Sequence, residues 1–233
     1  MNHSERYSRQ TMLPEIGEEG QRKIAAASVL IIGLGGLGAP VATYLTGAGV
    51  GHIGLCDPDS VSESNLQRQV LYDASQLGRP KTECAAARLQ AASPHTVFTL
   101  HDQGLTPANA RQLIAPCDLV VDCCDNFATR YLIDDTCAAL GKTWVYGAIG
   151  EFQGQVAVMN GTSRRRYSDL YPEREALCGR PRKIRGVLGP VPGLIGSLQA
   201  METLKLLTGA GQPLDGKLFT IDLLSLSTNI IEF

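Results

Sequence analysis

Residues 29–38 read VLIIGLGGLG, and this stretch decides the fold of the chain. Its first four residues form a short apolar run typical of a buried strand, and glycines follow at once. Helix-compatible residues then continue from Leu37 to Thr46. The stretch therefore predicts a strand, a tight turn and a helix.

The predicted turn has the spacing G-x-G-x-x-G at Gly33, Gly35 and Gly38, and Asp57 follows about twenty residues later. Such glycines let the backbone approach phosphates at the positive end of a helix, and the acidic side chain can accept hydrogen bonds from ribose. A turn needed only for close helix packing is the alternative. We expect a nucleotide site, although the motif alone fits a nicotinamide or flavin cofactor equally well.

Strand and helix patterns alternate along the chain up to residue 150. Further strands are predicted at 53–56, 97–100, 119–123 and 143–148, and helices at 81–92, 107–115 and 128–140. This alternation indicates an α/β fold with a Rossmann-like, doubly wound and mainly parallel sheet. Later strand patterns at 155–159, 217–221 and 229–233 lack intervening helices apart from 194–207, so they predict an antiparallel extension of the sheet.

Length and composition exclude several classes of protein. The 233 residues fit a single domain, 1–233. A composition of 44% hydrophobic and 19% charged residues excludes a disordered chain. A net charge of −2 argues against nucleic acid as a partner. The polar start and the lack of a long apolar run predict a cytoplasmic protein without membrane contact. The seven cysteines form no CxxC pair, and the four histidines show no metal-site spacing.

Two cations follow the glycine turn in the segments SNLQRQ, residues 64–69, and RPK, residues 79–81. Dinucleotide sites bind pyrophosphate through backbone amides and do not require fixed cations. Attack of a carboxylate on the α-phosphate of ATP, in contrast, expels pyrophosphate, whose growing charge must be stabilised. Arg68 and Lys81 suit that task, and two solvated surface cations are the alternative.

The segment DCCDN, residues 122–126, closes a strand of the predicted parallel sheet. Ligands bind at this end of the strands in open α/β sheets, and a carboxylate there can hold Mg²⁺. Asp125 lies in the loop and is the better ligand, whereas Asp122 suits a buried residue that accepts from backbone donors. A carboxylate substrate needs no general base, because it is already ionised at neutral pH.

Six segments of the chain resemble the ThiF/MoeB/HesA family, the bacterial relatives of ubiquitin-activating enzymes, and they are spread over nearly the whole chain. They read RYSRQ (6–10), GLGGLG (33–38), SNLQRQ (64–69), RPK (79–81), DCCDN (122–126) and GSLQAMETLKLL (196–207). The resemblance, closest to the thiamin-biosynthesis ThiF branch, implies an adenylyltransferase that uses ATP and Mg²⁺. The substrate implied is the C-terminal Gly-Gly carboxylate of a ubiquitin-like sulfur-carrier protein.

The resemblance also implies a homodimer, a possible sulfur donor protein and a set of site residues. Residues about 1–150 would bind ATP, and residues about 151–233 would bind the carrier. Arg9 would reach into the active site of the partner subunit. The catalytic set is Arg9, Arg68, Lys81, Asp125 and Cys178. The ATP-binding set is Gly33, Gly35, Gly36, Asp57, Asp59, Ser64, Asn65, Arg68, Gln69, Lys81, Asp125 and Asn126.

The sequence departs from the family pattern in two places. Many members hold a structural zinc with two CxxC pairs. In this sequence Arg166–Asp169 stand where the first pair would be, and no second pair precedes Phe233. Zinc is therefore not predicted. Some members carry a sulfur-transfer cysteine just before a G-V-x-G-P segment. Cys178 is the nearest candidate, but it lies several residues further from Gly186 than that spacing requires. Neighbouring arginines could increase its thiolate fraction, and a spare cysteine is the alternative.

The crossover loop, residues 161–192, is long, basic and without apolar periodicity. We expect it to be mobile until a carrier tail lies beneath it. Its cationic cluster includes Arg182, Lys183 and Arg185. Other functions remain open: a molybdopterin-synthase adenylyltransferase, a tRNA-modifying ThiF-like dehydratase, an NAD-dependent oxidoreductase and an inactive carrier-binding scaffold.

Overall fold

A computed structural model describes residues 3–181 and 186–233 and contains an eight-stranded sheet. The strand order is β3-β2-β1-β4-β5-β6-β7-β8. The strands are β1 (Ser28–Ile32), β2 (His52–Cys56), β3 (Val97–His101), β4 (Leu119–Asp122), β5 (Thr143–Gly150), β6 (Gln153–Met159), β7 (Lys217–Asp222) and β8 (Ser227–Glu232).

The helices range from single turns to one of 19 residues. They are α1 (His3–Arg6), α2 (Ser8–Thr11), α3 (Gly17–Ala26), α4 (Gly38–Ala48), α5 (Lys81–Ala92), α6 (Ala110–Ile114), α7 (Phe127–Leu140), α8 (Tyr167–Leu170), α9 (Arg174–Cys178) and α10 (Pro190–Thr208). Within the described residues, none of the helices is long and apolar enough to cross a bilayer.

Strands β1 to β5 are parallel, and β6 to β8 pair antiparallel beyond β5. The predicted α/β class, the doubly wound parallel sheet and its antiparallel extension are therefore confirmed. The chain leaves β1 toward β2 on one side and returns to β4 on the other, so the strand order reverses between β1 and β4. A crevice at the carboxyl ends of these two strands is the usual ligand site of such sheets.

Alternate residues of the central strands enter two separate cores, one on each face of the sheet. On one face Val29 and Ile31 pack with side chains of α3, α4, α5 and α10. On the other face Leu30 and Ile32 pack with side chains of α6, α7, α8 and α9. Because β1 is buried on both faces, its sequence is uniformly apolar rather than alternating. This burial fixes the position of the glycine turn that follows β1.

The crossover loop differs from its prediction, because its described part is structured. Helices α8 and α9 lie inside 161–192, and α10 begins at Pro190 rather than at 194. The glycine and prolines at 189–192 hide this helix start from periodicity, although proline at the first helical positions is favourable. Arg182, Lys183 and Arg185 lie outside the described residues.

Ion pairs hold the crossover segment against α7. Arg166 pairs with the fully buried Asp134 at 2.9 Å and with Asp135 at 2.6 Å, and Arg174 pairs with Asp135 at 2.6 Å. The Tyr167 N–H also donates to Asp134 at 3.0 Å. In residues 161–181 charged side chains thus connect the loop to α7, while its mobility before a carrier binds stays a prediction.

Candidate active site

The glycine turn packs tightly against the end of β4. Gly33 has φ +95°, and a Cβ on it would lie 2.5 Å from the Cys123 carbonyl oxygen. A Cβ on Gly38 would lie 2.0 Å from the Gly33 carbonyl oxygen. Only glycine fits at either position, so the turn is narrow for a steric reason that local sequence reasoning does not reveal. Its backbone forms one wall of the crevice between β1 and β4.

Asp57 follows β2 and is bound to the glycine turn. One carboxylate oxygen accepts a hydrogen bond from the Leu34 N–H at 2.6 Å, and the other accepts from the Asp59 N–H at 2.8 Å. Burial raises the pKa of Asp57, although Lys81 and these two N–H groups oppose the effect. Each oxygen keeps a second lone pair, so the carboxylate can still accept from ribose hydroxyls.

Lys81 begins α5 and points its ammonium group at two carboxylates. The Nζ atom lies 2.9 Å from Asp59 and 4.0 Å from Asp57. The side chain of Lys81 is only 5% exposed, whereas that of Asp59 is 67% exposed. Asp59 is therefore the displaceable partner, and an incoming phosphate can compete with it for the lysine.

Arg68 and Gln69 border the glycine turn from another side. The Arg68 Cγ atom lies 3.6 Å from the position of a Cβ on Gly36, and Gln69 Nε2 lies 3.4 Å from one on Gly35. Arg68 donates to the Ser64 carbonyl at 3.0 Å. Gln69 is buried, and its Oε1 atom has no hydrogen-bond partner among the described residues. This buried oxygen is an unsatisfied acceptor directly beside the glycine turn.

A short 3-10 turn at Glu63–Asn65 brings these two side chains to the crevice. The N–H groups of Arg68 and Gln69 both donate to the Asn65 carbonyl, at 3.0 and 2.9 Å. Ser64 is exposed and Asn65 is half-buried. The residues of this segment that were predicted to bind ATP thus belong to one turn, which borders the glycine turn through Arg68 and Gln69.

The loop after β4 contains the two predicted acids in different environments. Asp122 is fully buried, and its carboxylate accepts from the Cys124 N–H at 3.0 Å. Asp125 and Asn126 are exposed. The Asn126 side chain accepts from the Thr129 N–H at 2.8 Å and so caps α7. A direct ATP contact from that side-chain oxygen would compete with this capping bond.

Oxygen ligands for Mg²⁺ are few in this crevice. No cluster of three His, Cys, Asp or Glu side chains that could hold a metal ion occurs within residues 3–181 and 186–233. Mg²⁺ is commonly bound by one or two carboxylates together with substrate phosphates and water. The exposed Asp125 carboxylate fits that arrangement, in which the ion arrives with the nucleotide.

The structure does not bring Arg9 into this crevice. Its helix α2 is preceded by Tyr7, which contacts Gly49, and contains Gln10, which donates to the Ala48 carbonyl at 3.1 Å. Both contacts lie at the C-terminal end of α4, whereas the glycine turn lies at its N-terminal end. Eleven helical residues separate these ends by about 15 Å. Arg9 itself is exposed.

Cys178 lies at the end of α9, on the segment that is tethered to α7. Its side chain is exposed, whereas Cys123 is buried at the end of β4. Cys178 therefore lies on the surface of the crossover segment, at a position that the ion pairs of Arg166 and Arg174 fix relative to the sheet.

Sequence reasoning missed three contributions to the crevice. Arg130 pairs with Asp122 at 3.2 Å. Gln199 of α10 donates to the Asp122 carbonyl at 2.6 Å. Pro192 lies 3.0 Å from the position of a Cβ on Gly36, so the start of α10 closes one side of the glycine turn. The contacts of Gln199 and Pro192 join distant parts of the chain, and the pairing of Arg130 with Asp122, eight residues before it, depends on how α7 folds back on β4.

Asp122 and Arg130 form a buried ion pair. Burial is the largest single influence and would lower the pKa of Arg130, but Asp122 together with Tyr146, Cys124 and Tyr167 outweighs it, so the pKa lies above its ordinary value. Burial also raises the pKa of Asp122, although Arg130 and the Cys124 N–H oppose this effect.

Comparison with known proteins shows the family and the fold of this chain. The ThiF family matches residues 7–233. The chain is 45% identical over 229 residues to a sulfur carrier protein adenylyltransferase of Thermus thermophilus, covering 96% of this chain and 84% of that protein. It is 42% identical to the adenylyltransferase and sulfurtransferase MOCS3 of Drosophila sechellia, covering 93% of this chain but 48% of that protein.

Two further comparisons concern a longer relative and the fold. The probable adenylyltransferase/sulfurtransferase MoeZ of Mycobacterium tuberculosis is 42% identical, with 97% of this chain and 59% of that protein covered. The chain thus spans about half the length of MOCS3 and MoeZ. The structure of E. coli MccB with ATP has a TM-score of 0.85 at 21% identity, covering 97% of this chain and 71% of that chain. At this identity the likeness concerns the fold.

The names of these relatives do not support the expected preference for the thiamin branch. They refer to sulfur-carrier, MOCS3 and MoeZ proteins rather than to thiamin biosynthesis. The predicted enzyme class is confirmed, because the match covers nearly the whole chain. This chain is an adenylyltransferase that belongs to the ThiF family.

Proposed function

We propose that the protein uses ATP to adenylylate the C-terminal Gly-Gly carboxylate of a ubiquitin-like sulfur-carrier protein and releases pyrophosphate. The observation that carries this proposal is the placement of two cations, Arg68 and Lys81, beside a glycine turn whose ribose-binding candidate is Asp57. The name of the Thermus relative supports the choice of substrate.

The phosphates of ATP would lie along the glycine turn, with the ribose at Asp57. A carboxylate oxygen of the carrier attacks the α-phosphorus, and the bond from that phosphorus to the bridging oxygen of the β-phosphate breaks. The products are an acyl adenylate and pyrophosphate. Arg68 and Lys81 stabilise the charge that develops on the leaving group.

Lys81 must exchange one partner for another during this step. Its contact with the exposed Asp59 is displaced by the pyrophosphate oxygens, while Asp57 remains within 4.0 Å. Mg²⁺, held by Asp125 and the phosphates, would neutralise phosphate charge. Asp59, Ser64, Asn65, Gln69 and Asn126 complete the proposed ATP-binding set.

The dependence of pyrophosphate exchange on the carrier tests this function. Wild-type protein should exchange labelled pyrophosphate into ATP only when a carrier ending in Gly-Gly is present, and a carrier without its last glycine should not support exchange. Mg-ATP, but not NAD, should raise the melting temperature, because a ligand stabilises the state that it binds. Stabilisation by NAD alone would favour the oxidoreductase alternative.

Arg9 and the homodimer belong to the same proposal. Because α2 is anchored about 15 Å from the glycine turn of its own chain, Arg9 is better placed to serve a second subunit. An exposed apolar surface on α4 and α10, with Tyr44, Leu194 and Met201, supports contact with another copy. Mixing inactive Arg9→Ala with inactive Arg68→Ala should restore partial exchange, because one site of the hybrid dimer is intact. Mixtures that stay inactive after proven subunit exchange would exclude the assignment.

Cys178 is proposed for the sulfur-transfer stage, with a sulfur donor protein as the further partner. Its exposure on a tethered segment supports access by two proteins in turn. Cys178→Ser should keep carrier adenylylation and lose sulfur transfer to the adenylated carrier. Full transfer by this variant would show that Cys178 is a spare cysteine. Comparing thiamin and molybdopterin carriers as substrates would decide the pathway.

A further inference from the structure

A buried cation that the proposed chemistry does not use lies directly behind the loop that contains Asp125. Arg130, on the first turns of α7, is only 8% exposed. Its Nε atom lies 3.2 Å from the Asp122 carboxylate. Its Nη2 atom donates to the Cys124 carbonyl at 2.8 Å and to the Gly147 carbonyl at 3.4 Å. One guanidinium thus connects β4, the following loop and β5.

These contacts fix both backbone groups of Cys124. Its N–H donates to the Asp122 side chain at 3.0 Å, and its carbonyl accepts from Arg130 at 2.8 Å. The Asp122 carbonyl is held in turn by Gln199 at 2.6 Å. Asp125 is the next residue along the chain, so its backbone position depends directly on this network.

The same network supports the glycine turn. The Cys123 carbonyl lies 2.5 Å from the position of a Cβ on Gly33, so any shift of residues 122–124 changes the wall of the phosphate site. The rings of Phe127 and Tyr146 flank Arg130, at 6.0 and 5.4 Å from its Cζ atom. A guanidinium that is enclosed and bonded in this way is not available to bind phosphate itself.

We infer that Arg130 is a positioning residue that holds the Asp125 loop in the geometry needed to bind Mg-ATP. The inference rests on the proposed role of Asp125 at the nucleotide. Arg130 acts through the backbone of Cys124, and its planar fork is required because three oxygen partners must be held at once. Lysine, with a single ammonium group, can keep the ion pair but not the whole set.

The test measures binding of Mg-ATP to the full chain by calorimetry, without a carrier. Arg130→Lys keeps a cation beside Asp122. Because Arg130→Met alone leaves the Asp122 carboxylate buried without a partner, the second variant combines Arg130→Met with Asp122→Asn. Arg166→Met is the matched control, since it also removes an arginine that pairs with a buried aspartate, Asp134 on α7, but this arginine lies in the crossover segment and not beside the Asp125 loop.

The double variant should weaken Mg-ATP binding by about tenfold to a hundredfold, the range typical for loss of a group that orients a metal ligand. Arg130→Lys should lie between the double variant and the wild type, and Arg166→Met should bind Mg-ATP like the wild type. Binding of ATP in the presence of a chelator should change less than binding of Mg-ATP. In exchange assays the loss should be recovered in part at high Mg²⁺.

A lower melting temperature with unchanged Mg-ATP affinity in both Arg130 variants would overturn the inference and leave Arg130 as a structural residue. Equal weakening in Arg166→Met would overturn it as well, because the effect would then be general. A different result would refute the proposed function. If wild-type protein binds Mg-ATP but shows no carrier-dependent exchange, that function is wrong, whereas the effect of the Arg130 variants on Mg-ATP binding can still be measured.

Discussion

Replacement of Lys81 by methionine tests the chemistry most directly. Methionine keeps an apolar stem of similar length and removes only the ammonium group. In the structure this group pairs with Asp59, whose side chain is 67% exposed, and approaches the buried Asp57. Exposed pairs contribute about 0–1 kcal/mol, and breaking a buried pair costs about 3–5 kcal/mol. The mixed environment therefore predicts a loss of about 1–3 kcal/mol of stability.

A loss of that size should lower the melting temperature by about 2–12 °C for a chain of this length. The loss in catalysis should be larger in free energy, because the lysine faces a charge that grows in the transition state. Removal of one such stabilising group typically lowers kcat by about 10²–10³-fold. The exchange of pyrophosphate into ATP, measured with saturating carrier and Mg-ATP, reports this effect.

Lys205→Met provides the matched control. Lys205 pairs with Glu202 and donates to the Gln212 carbonyl at 2.7 Å, and its side chain is only 16% exposed. It lies fifteen residues, or about 22 Å, along α10 from Pro190, the end that borders the glycine turn. Its loss should reduce stability while kcat stays within about twofold of wild type. If Lys81→Met showed the same pattern, the lysine would be structural and the proposed leaving-group role would be refuted.

Three further perturbations test the glycine turn, Asp57 and the crossover segment. Gly38→Ala should abolish ATP binding, because its Cβ would lie 2.0 Å from the Gly33 carbonyl oxygen. Gly47→Ala is the control: a Cβ there meets no atom within 4 Å, so this variant should bind ATP normally and gain about 0.5–1 kcal/mol of folding stability. Asp57→Asn should weaken ATP binding about tenfold at pH 7. That difference should shrink as pH falls through the raised pKa of Asp57, because the protonated acid also loses an acceptor, and a constant difference down to pH 4 would contradict the assignment. Ionisation of this acid costs folding free energy, so its contribution to stability is present at low pH and lost as pH rises through that pKa. Purified protein should contain no stoichiometric zinc and keep its melting temperature in chelator, since ion pairs tether the segment that contains Arg166; stoichiometric zinc would refute this.

The positions of Arg9 and the crossover segment show where prediction from sequence was limited. The ion pairs of Arg166 with Asp134 and Asp135 join residues more than thirty positions apart, so no local pattern predicts α8 and α9. Arg9 was selected by resemblance alone, and its helix is anchored far from the glycine turn of the same chain. Its assignment therefore depends on a second subunit.

The sequence by itself determined the order of the main strands and helices, because apolar periodicity and the glycine turn at 33–38 act over a few residues. The roles predicted for Arg68, Lys81 and Asp125 also came from sequence, since their residue types and motifs are local. Only the tertiary structure decided how these groups are supported. The Gln199 contact and the closure of the turn by Pro192 each join distant segments, so a short sequence window contains one partner at most. The Asp122–Arg130 pair spans only eight residues, but it forms only because α7 packs back against the end of β4. Such contacts arise only once the sheet and both of its faces are packed.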